Sequence, residues 1–170
     1  IKHSNPCGVS ENQKPLESFL NAYKCDPISA FGGVIACNYK INKKIALQIS
    51  KNFSEVILAK GFDKESLSIL KKKKNLRIID ISKYVSNNAL AIRNFDKSFV
   101  IQEKDEIIMN KKKLKCVTKL KPNKKELAEI EFAFKIIKYV KSNAIVLSND
   151  FSTIGIGAGQ PSRLDSCKIA

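Results

Sequence analysis

Lys2 and His3 stand side by side just ahead of Asn5-Pro6-Cys7-Gly8, and His3 is the only histidine in the chain. Imidazole exchanges protons near neutral pH, and a lysine ammonium is a movable cation for developing negative charge. Proline presets φ and glycine admits backbone shapes that other residues resist, so residues 5–8 read as a tight turn holding the pair at a strand end. A solvated Lys-His pair before an ordinary loop is the plainer alternative. Far downstream, Asn143 lies in Val140-Lys141-Ser142-Asn143-Ala144-Ile145-Val146, polar residues directly ahead of a buried strand. A carboxamide donor fixed there can stabilise an oxyanion, and a helix C-cap is its simpler role. Thr153-Ile154-Gly155-Ile156-Gly157-Ala158-Gly159-Gln160-Pro161-Ser162-Arg163 reads as a strand, a glycine-rich turn and a helix start. Arg163 offers a fork of donors for an anion there. The spacing fits a dinucleotide fingerprint only loosely, because the third glycine comes one residue early; tight strand-to-helix packing explains the glycines equally well.

The elements that must position these groups alternate. Pro15 to Lys24 carries helical spacing through Leu16, Phe19, Leu20 and Tyr23 and stops at Cys25-Asp26-Pro27. Phe31 to Cys37 reads as a buried strand opened by Gly32-Gly33. Then follow a helix over Lys43 to Lys51, a strand over Glu55 to Ala59, a helix over Lys64 to Lys72 and a strand over Leu76 to Ile81. This βαβ rhythm predicts an α/β fold with a mostly parallel or mixed sheet and functional groups at strand ends. Residues 82–114 read as a hairpin-rich connector with apolar bursts at Phe99 to Ile101 and Ile107 to Met109. Leu114 to Leu120 alternates like a strand. Asn123 caps a helix reaching about Lys141, whose stripe of Leu127, Ile130, Ala133, Phe134, Ile136, Ile137 and Val140 recurs at helical spacing.

Composition narrows the partners. The 170 residues are 44% hydrophobic, enough for a real core, and carry a formal net charge of +15. Of 31 basic residues only Arg77, Arg93 and Arg163 are arginine, whereas base reading and bidentate phosphate clamping favour arginine. The runs Lys71 to Lys74 and Lys111 to Lys113 have no interleaved aromatics to stack bases, so sequence-specific nucleic-acid binding is not expected. Cys7, Cys25, Cys37, Cys116 and Cys167 form no Cys-x-x-Cys pair and have one histidine for company, which argues against a zinc set or a disulfide framework. Cys7 beside the Lys-His pair is a conceivable nucleophile, and turn packing is its plainer role. No apolar run approaches the ~20 residues that span a bilayer, and no signal-peptide pattern opens the chain. A soluble, cytoplasmic protein with no membrane partner is expected. The first residue is Ile and the last three are Lys168-Ile169-Ala170, inside a helical pattern, so the chain reads as a fragment.

Taken together, Lys2-His3-Ser4-Asn5-Pro6-Cys7-Gly8, Ala22 to Gly33, Val140 to Val146 and Gly155 to Arg163 resemble, in order, motifs of the transformylase part of the AICAR transformylase/IMP cyclohydrolase family. The resemblance runs from the first residue to the last. It implies transfer of a formyl group from 10-formyltetrahydrofolate to the 5-amino group of AICAR, giving FAICAR and tetrahydrofolate in purine biosynthesis. That amine is a poor nucleophile because its lone pair is delocalised. By this resemblance His3 inherits the base role, Lys2 assists charge and proton changes at the formyl carbonyl and folate nitrogen, and Asn143 orients substrate and formyl oxygen. Gly32, Glu55 and Arg163 match substrate-binding positions. General base, cation and oxyanion donor are what acyl transfer needs.

The same resemblance implies cytidine deaminase-like three-layer units, with a mixed sheet and helices on both faces, but without the deaminases' zinc. The corresponding division is a first unit over 1–95, a connector over 96–122 and the start of a second unit over 123–170. Folate is the co-substrate, no zinc is expected, and the family's homodimer shares its active sites between copies. The chain departs from the family in lacking the cyclohydrolase domain, an upstream Arg-Tyr pair that contacts substrate and the downstream half of the second unit. Alone it is expected to bind poorly and turn over little. Two other classes stay open: a nonenzymatic nucleotide-binding module, and a basic domain that meets nucleic acid by charge alone.

Overall fold

The computed structural model describes residues 1–85, 90–105, 109 and 113–170. Helix α1 spans Pro15–Cys25, starting on a proline whose missing N–H costs nothing in a first turn. Strands β1 (Gly33–Cys37), β2 (Ser54–Ala59) and β3 (Arg77–Asp80) form a parallel sheet in that order. Helices α2 (Lys43–Ser50) and α3 (Lys64–Leu70) make the two crossovers. Their starts are fixed by side-chain caps: Asn42 Oδ1 accepts from Ile45 N at 3.1 Å, and Asp63 Oδ1 from Ser66 N at 2.6 Å. Ile41, Ile45, Ala46, Ile57, Ala59 and Leu70 are wholly buried and form the main core with Phe19, Cys37 and Ile49. Each large aliphatic there contributes about 1.5–3 kcal/mol by leaving water.

The sequence-based expectation of helices over both sheet faces is met on one. Along β2, Ile57 and Ala59 are fully buried while Val56 and Leu58, which point the other way, remain half-buried. The named strands pair parallel in one sheet and antiparallel in two others, and Ile1 exchanges both main-chain hydrogen bonds with Val34 of β1.

Strands β4 (Leu90–Phe95) and β5 (Ser98–Glu103) form the expected hairpin, exposed along most of its length. The boundary expected between 95 and 96 therefore falls inside its turn. Ile107 and Ile108 of the second apolar burst, and Lys111 and Lys112, lie outside the described residues. Leu114 to Leu120 is not a strand: it is exposed and irregular, and Thr118 Oγ1 donates to Leu120 O at 2.7 Å. Alternation alone does not make a strand where no neighbouring chain pairs with its main chain.

Helix α4 (Lys124–Ile137) begins with a full capping box, Asn123 and Glu126 each accepting the other's main-chain N–H. It ends earlier than the spacing predicts. Its buried line is Phe132, Ile136 and Val140, whereas the expected stripe members Ile130 and Phe134 are 47% and 46% exposed. Phe132 is drawn inward by an edge-on contact with Phe151, 6.0 Å between ring centres. Strands β6 (Ile145–Asn149) and β7 (Ser152–Gly157) pair antiparallel around Asp150 and Phe151, both at positive φ. Glu129 anchors that turn by accepting from Phe151 N at 2.6 Å and Ser148 Oγ at 3.1 Å.

Helix α5 (Arg163–Ile169) lies on β7. A Cβ on Gly157 would stand 1.8 Å from the Ser166 carbonyl oxygen, so this glycine exists for helix-to-strand packing and not for a ligand. Residues 9–10 and α1 also meet β7. Thr153 N donates to Val9 O at 2.9 Å, Ser10 bridges to Ser152, and α1 packs against β7. Among the described residues no helix is long and apolar enough to cross a membrane.

Candidate active site

Lys2 and Asn5 exchange two main-chain hydrogen bonds, Lys2 N to Asn5 O at 2.8 Å and Asn5 N to Lys2 O at 3.0 Å. They enclose His3 and Ser4, at φ 52° and 63°. Positive φ at both central residues is the mark of a type I′ hairpin turn, normally filled by Asn-Gly. The turn therefore lies earlier than the Asn5-to-Gly8 reading predicts and carries His3 on its tip. Histidine tolerates this region better than most residues, and such backbone costs about 1–3 kcal/mol per residue unless its surroundings hold it. His3 is exposed and Lys2 half-buried.

The turn is tied to the other motifs on two sides. Lys2 Nζ donates to Phe31 O at 2.9 Å, next to Gly32, which has φ +69° and donates its N–H to Phe53 O at 3.0 Å. Two residues past Phe53, Glu55 is exposed at the start of β2. On the other side, Asn5 Oδ1 accepts from Lys141 N at 3.0 Å, and the Lys141 ammonium approaches the His3 carbonyl at 3.5 Å. Lys141 O in turn accepts from Gly159 N at 2.7 Å.

Asn143 is neither a helix cap nor an oxyanion donor in this geometry. Helix α4 ends at Ile137, six residues before Asn143, and the Asn143 Nδ2 donates to Gln160 O at 3.0 Å and Pro161 O at 2.8 Å. Both amide protons are thus spent on carbonyls, which leaves Oδ1, an acceptor, as the side-chain atom able to meet a ligand. Its main-chain oxygen receives Ser166 Oγ at 2.8 Å, locking the segment to α5. Arg163, the first residue of α5, is exposed and its guanidinium has no hydrogen-bond or ion-pair partner among the described residues. Cys7 and Cys25 lie near this ground as free thiols. Burial pushes the Cys25 thiol above its ordinary value, as suits a packing group.

A continuous path of hydrogen bonds therefore joins the 31–33 loop, the 2–5 turn, the 141–143 segment and the 159–163 turn. Lys2, His3, Gly32 and Asn143 stand on it; Arg163 follows the last turn with no side-chain bond to the path, and Glu55 adjoins it only through the strand that begins beside Phe53. A broad groove of about 1350 Å³ lies elsewhere, between residues 9–14 and α4, with Tyr39, Phe132, Tyr139 and Phe151 among its walls. Of the turn it takes only Ser4. Sequence reading missed the strained backbone of His3 and the Asn5–Lys141 bond. His-Ser is not a recognised I′ pair, and a contact across 136 positions leaves no local signal.

The structure is thus an α/β scaffold whose 2–5 turn, 141–143 segment and 159–163 turn are joined by hydrogen bonds. The chain belongs to the AICARFT/IMPCHase bienzyme family, which it matches over residues 1–170. It is 43% identical over 96% of its length to the bifunctional purine biosynthesis protein PurH of Thermoanaerobacter sp. (strain X514), covering 32% of that protein. It is 44% identical over 99% of its length to PurH of Leptospira biflexa, covering 33%, and 43% identical over its whole length to PurH of Rhodospirillum rubrum, covering 33%. The chain thus spans about a third of the length of the curated relatives it matches.

Proposed function

We propose that this chain carries part of the site that transfers the formyl group of 10-formyltetrahydrofolate to the 5-amino group of AICAR, within purine biosynthesis in the cytoplasm. The path of hydrogen bonds joining the four motif segments is the observation that carries the reading. In the transfer, the amine nitrogen bonds to the formyl carbon, one amine proton leaves, the bond from the formyl carbon to folate N10 breaks, and N10 gains a proton. His3, exposed on its turn, takes the amine proton. Lys2 spends one of its three ammonium protons on Phe31 O and keeps two for the formyl oxygen and the departing nitrogen. Asn143 contributes through Oδ1, which accepts an N–H of the substrate and so orients the amine. Arg163, free of side-chain partners among the described residues, attracts the nucleotide's anionic end. Gly32 lets the main chain approach the ligand, and Glu55 accepts substrate N–H groups. Remaining walls come from the rest of a chain of the relatives' length and from a second copy in a homodimer.

The test is tetrahydrofolate formation, followed by absorbance, in a protein of the relatives' full length given AICAR and 10-formyltetrahydrofolate. Turnover that survives neutralisation of Lys71 to Lys74 and moderate salt supports formyl transfer. AICAR binding without turnover turns the reading to a nonenzymatic nucleotide-binding module, and binding that collapses steeply with salt turns it to charge-driven association.

A further inference from the structure

The turn that presents His3 has no glycine, yet two of its residues occupy left-handed backbone. Such a conformation persists only where neighbouring structure over-determines it. Its two main-chain bonds to Lys2 close the turn but do not aim it. Aim comes from outside, and Asn5 is placed to supply it. Its main chain closes the turn, while its side-chain oxygen accepts the Lys141 N–H at 3.0 Å. Lys141 is two residues from Asn143 and its carbonyl holds Gly159. The Lys141 ammonium adds a second tie at the His3 carbonyl, 3.5 Å away.

We propose that Asn5 is a positioning residue, whose carboxamide oxygen clasps the His3 turn to the Lys141–Asn143 segment and so fixes the distance between the base and the groups that hold the substrate. The proposal rests on the formyl-transfer reading for its catalytic consequence, but the clasp itself is readable without turnover. Asn5 touches no reacting atom. It acts by holding His3 at a geometry from which proton removal is productive, and misplacement of about 1 Å in such a group costs on the order of 100-fold in rate.

The experiment has two arms. His3 is the only histidine of these 170 residues, so its imidazole gives a single Cε1–H signal in the spectrum of the labelled chain. In Asn5→Ala that signal is expected to move to the position of an unstructured histidine while the methyl signals of Ile45 and Ile57 stay in place. Asn5→Asp, which keeps an acceptor oxygen at the same reach, is expected to restore it. In a protein of the relatives' full length, Asn5→Ala is expected to lower kcat about 10- to 100-fold with KM for AICAR changed less than about 3-fold, and Asn5→Asp to recover most of the loss. An unmoved His3 signal in Asn5→Ala overturns the clasp whatever the activity. A released signal with unchanged kcat, or equal kcat losses in the Ala and Asp variants, overturns the positioning role. A released signal in a protein whose unaltered form transfers no formyl group upholds the clasp and overturns the formyl-transfer reading instead. Should Asn5→Ala also lose the Ile methyl pattern, Asn5→Ser, too short to reach Lys141 but compatible with the turn, takes its place with the same outcomes.

Discussion

A single carboxamide shows how much chemistry depends on which atom faces where. Asn143 has two donors and one acceptor, and the carbonyls of Gln160 and Pro161 take the donors. Replacing it with Asp turns two hydrogen bonds into contacts between oxygen lone pairs, so Asn143→Asp is expected to destabilise the protein by about 1–3 kcal/mol in urea unfolding. Transfer should fall beyond what that loss of folded protein explains. Asn143→Ala is expected to cost less stability than the Asp change, because it leaves unpaired carbonyls but brings no repulsion. Both Lys2-His3 and Asn143 stood out in the sequence by residue type and neighbourhood. Their hydrogen-bond partners did not, because these are carbonyls 29 positions away for Lys2 and 17 and 18 positions away for Asn143.

At the scale of elements, caps and close approaches set the frame. Gly157 lies under α5, and Gly157→Ala would drive a methyl into the Ser166 carbonyl. That helix must lift from β7, and the 159–163 turn with it, so hydrogen exchange in α5 is expected to rise while the parallel sheet stays protected. Asn123→Ala removes the capping box of α4 and is expected to cost about 1 kcal/mol in urea unfolding. Asp63 gives a pH signature. The Ser66 N–H holds its carboxyl below the ordinary value in the folded state. As pH falls, the unfolded chain therefore takes up the proton first, and the stabilisation, fully present above about pH 4, is lost as pH falls through the lower folded value. Asp63→Asn keeps a cap without that titration, so the stability difference from the unaltered protein should change between about pH 5 and pH 2 and be flat above.

For the whole molecule, the periodicity of the first 81 residues disclosed the βαβ order because each apolar run is answered by a neighbour: β1 by β2, β2 by β3. It failed at Leu114 to Leu120, which alternates without a strand partner among the described residues, and at α4, where Phe151, distant in sequence, draws Phe132 inward in place of Phe134. Residues 9–10 pair with β7, a contact that crosses the expected division into units. Those failures share one cause: local pattern fixes the type of an element, while long-range pairing fixes its register and the face it buries. The four motif segments meet through that same long-range pairing, and the central claim is that their meeting makes a formyl-transfer site with His3 as its base. The most direct measurement is single-turnover formyl transfer in a protein of the relatives' full length, beside AICAR binding, with and without His3→Ala. The account predicts that the variant binds AICAR within about 3-fold of the unaltered protein and transfers formyl about 100- to 10,000-fold more slowly. Undiminished transfer in His3→Ala would contradict it.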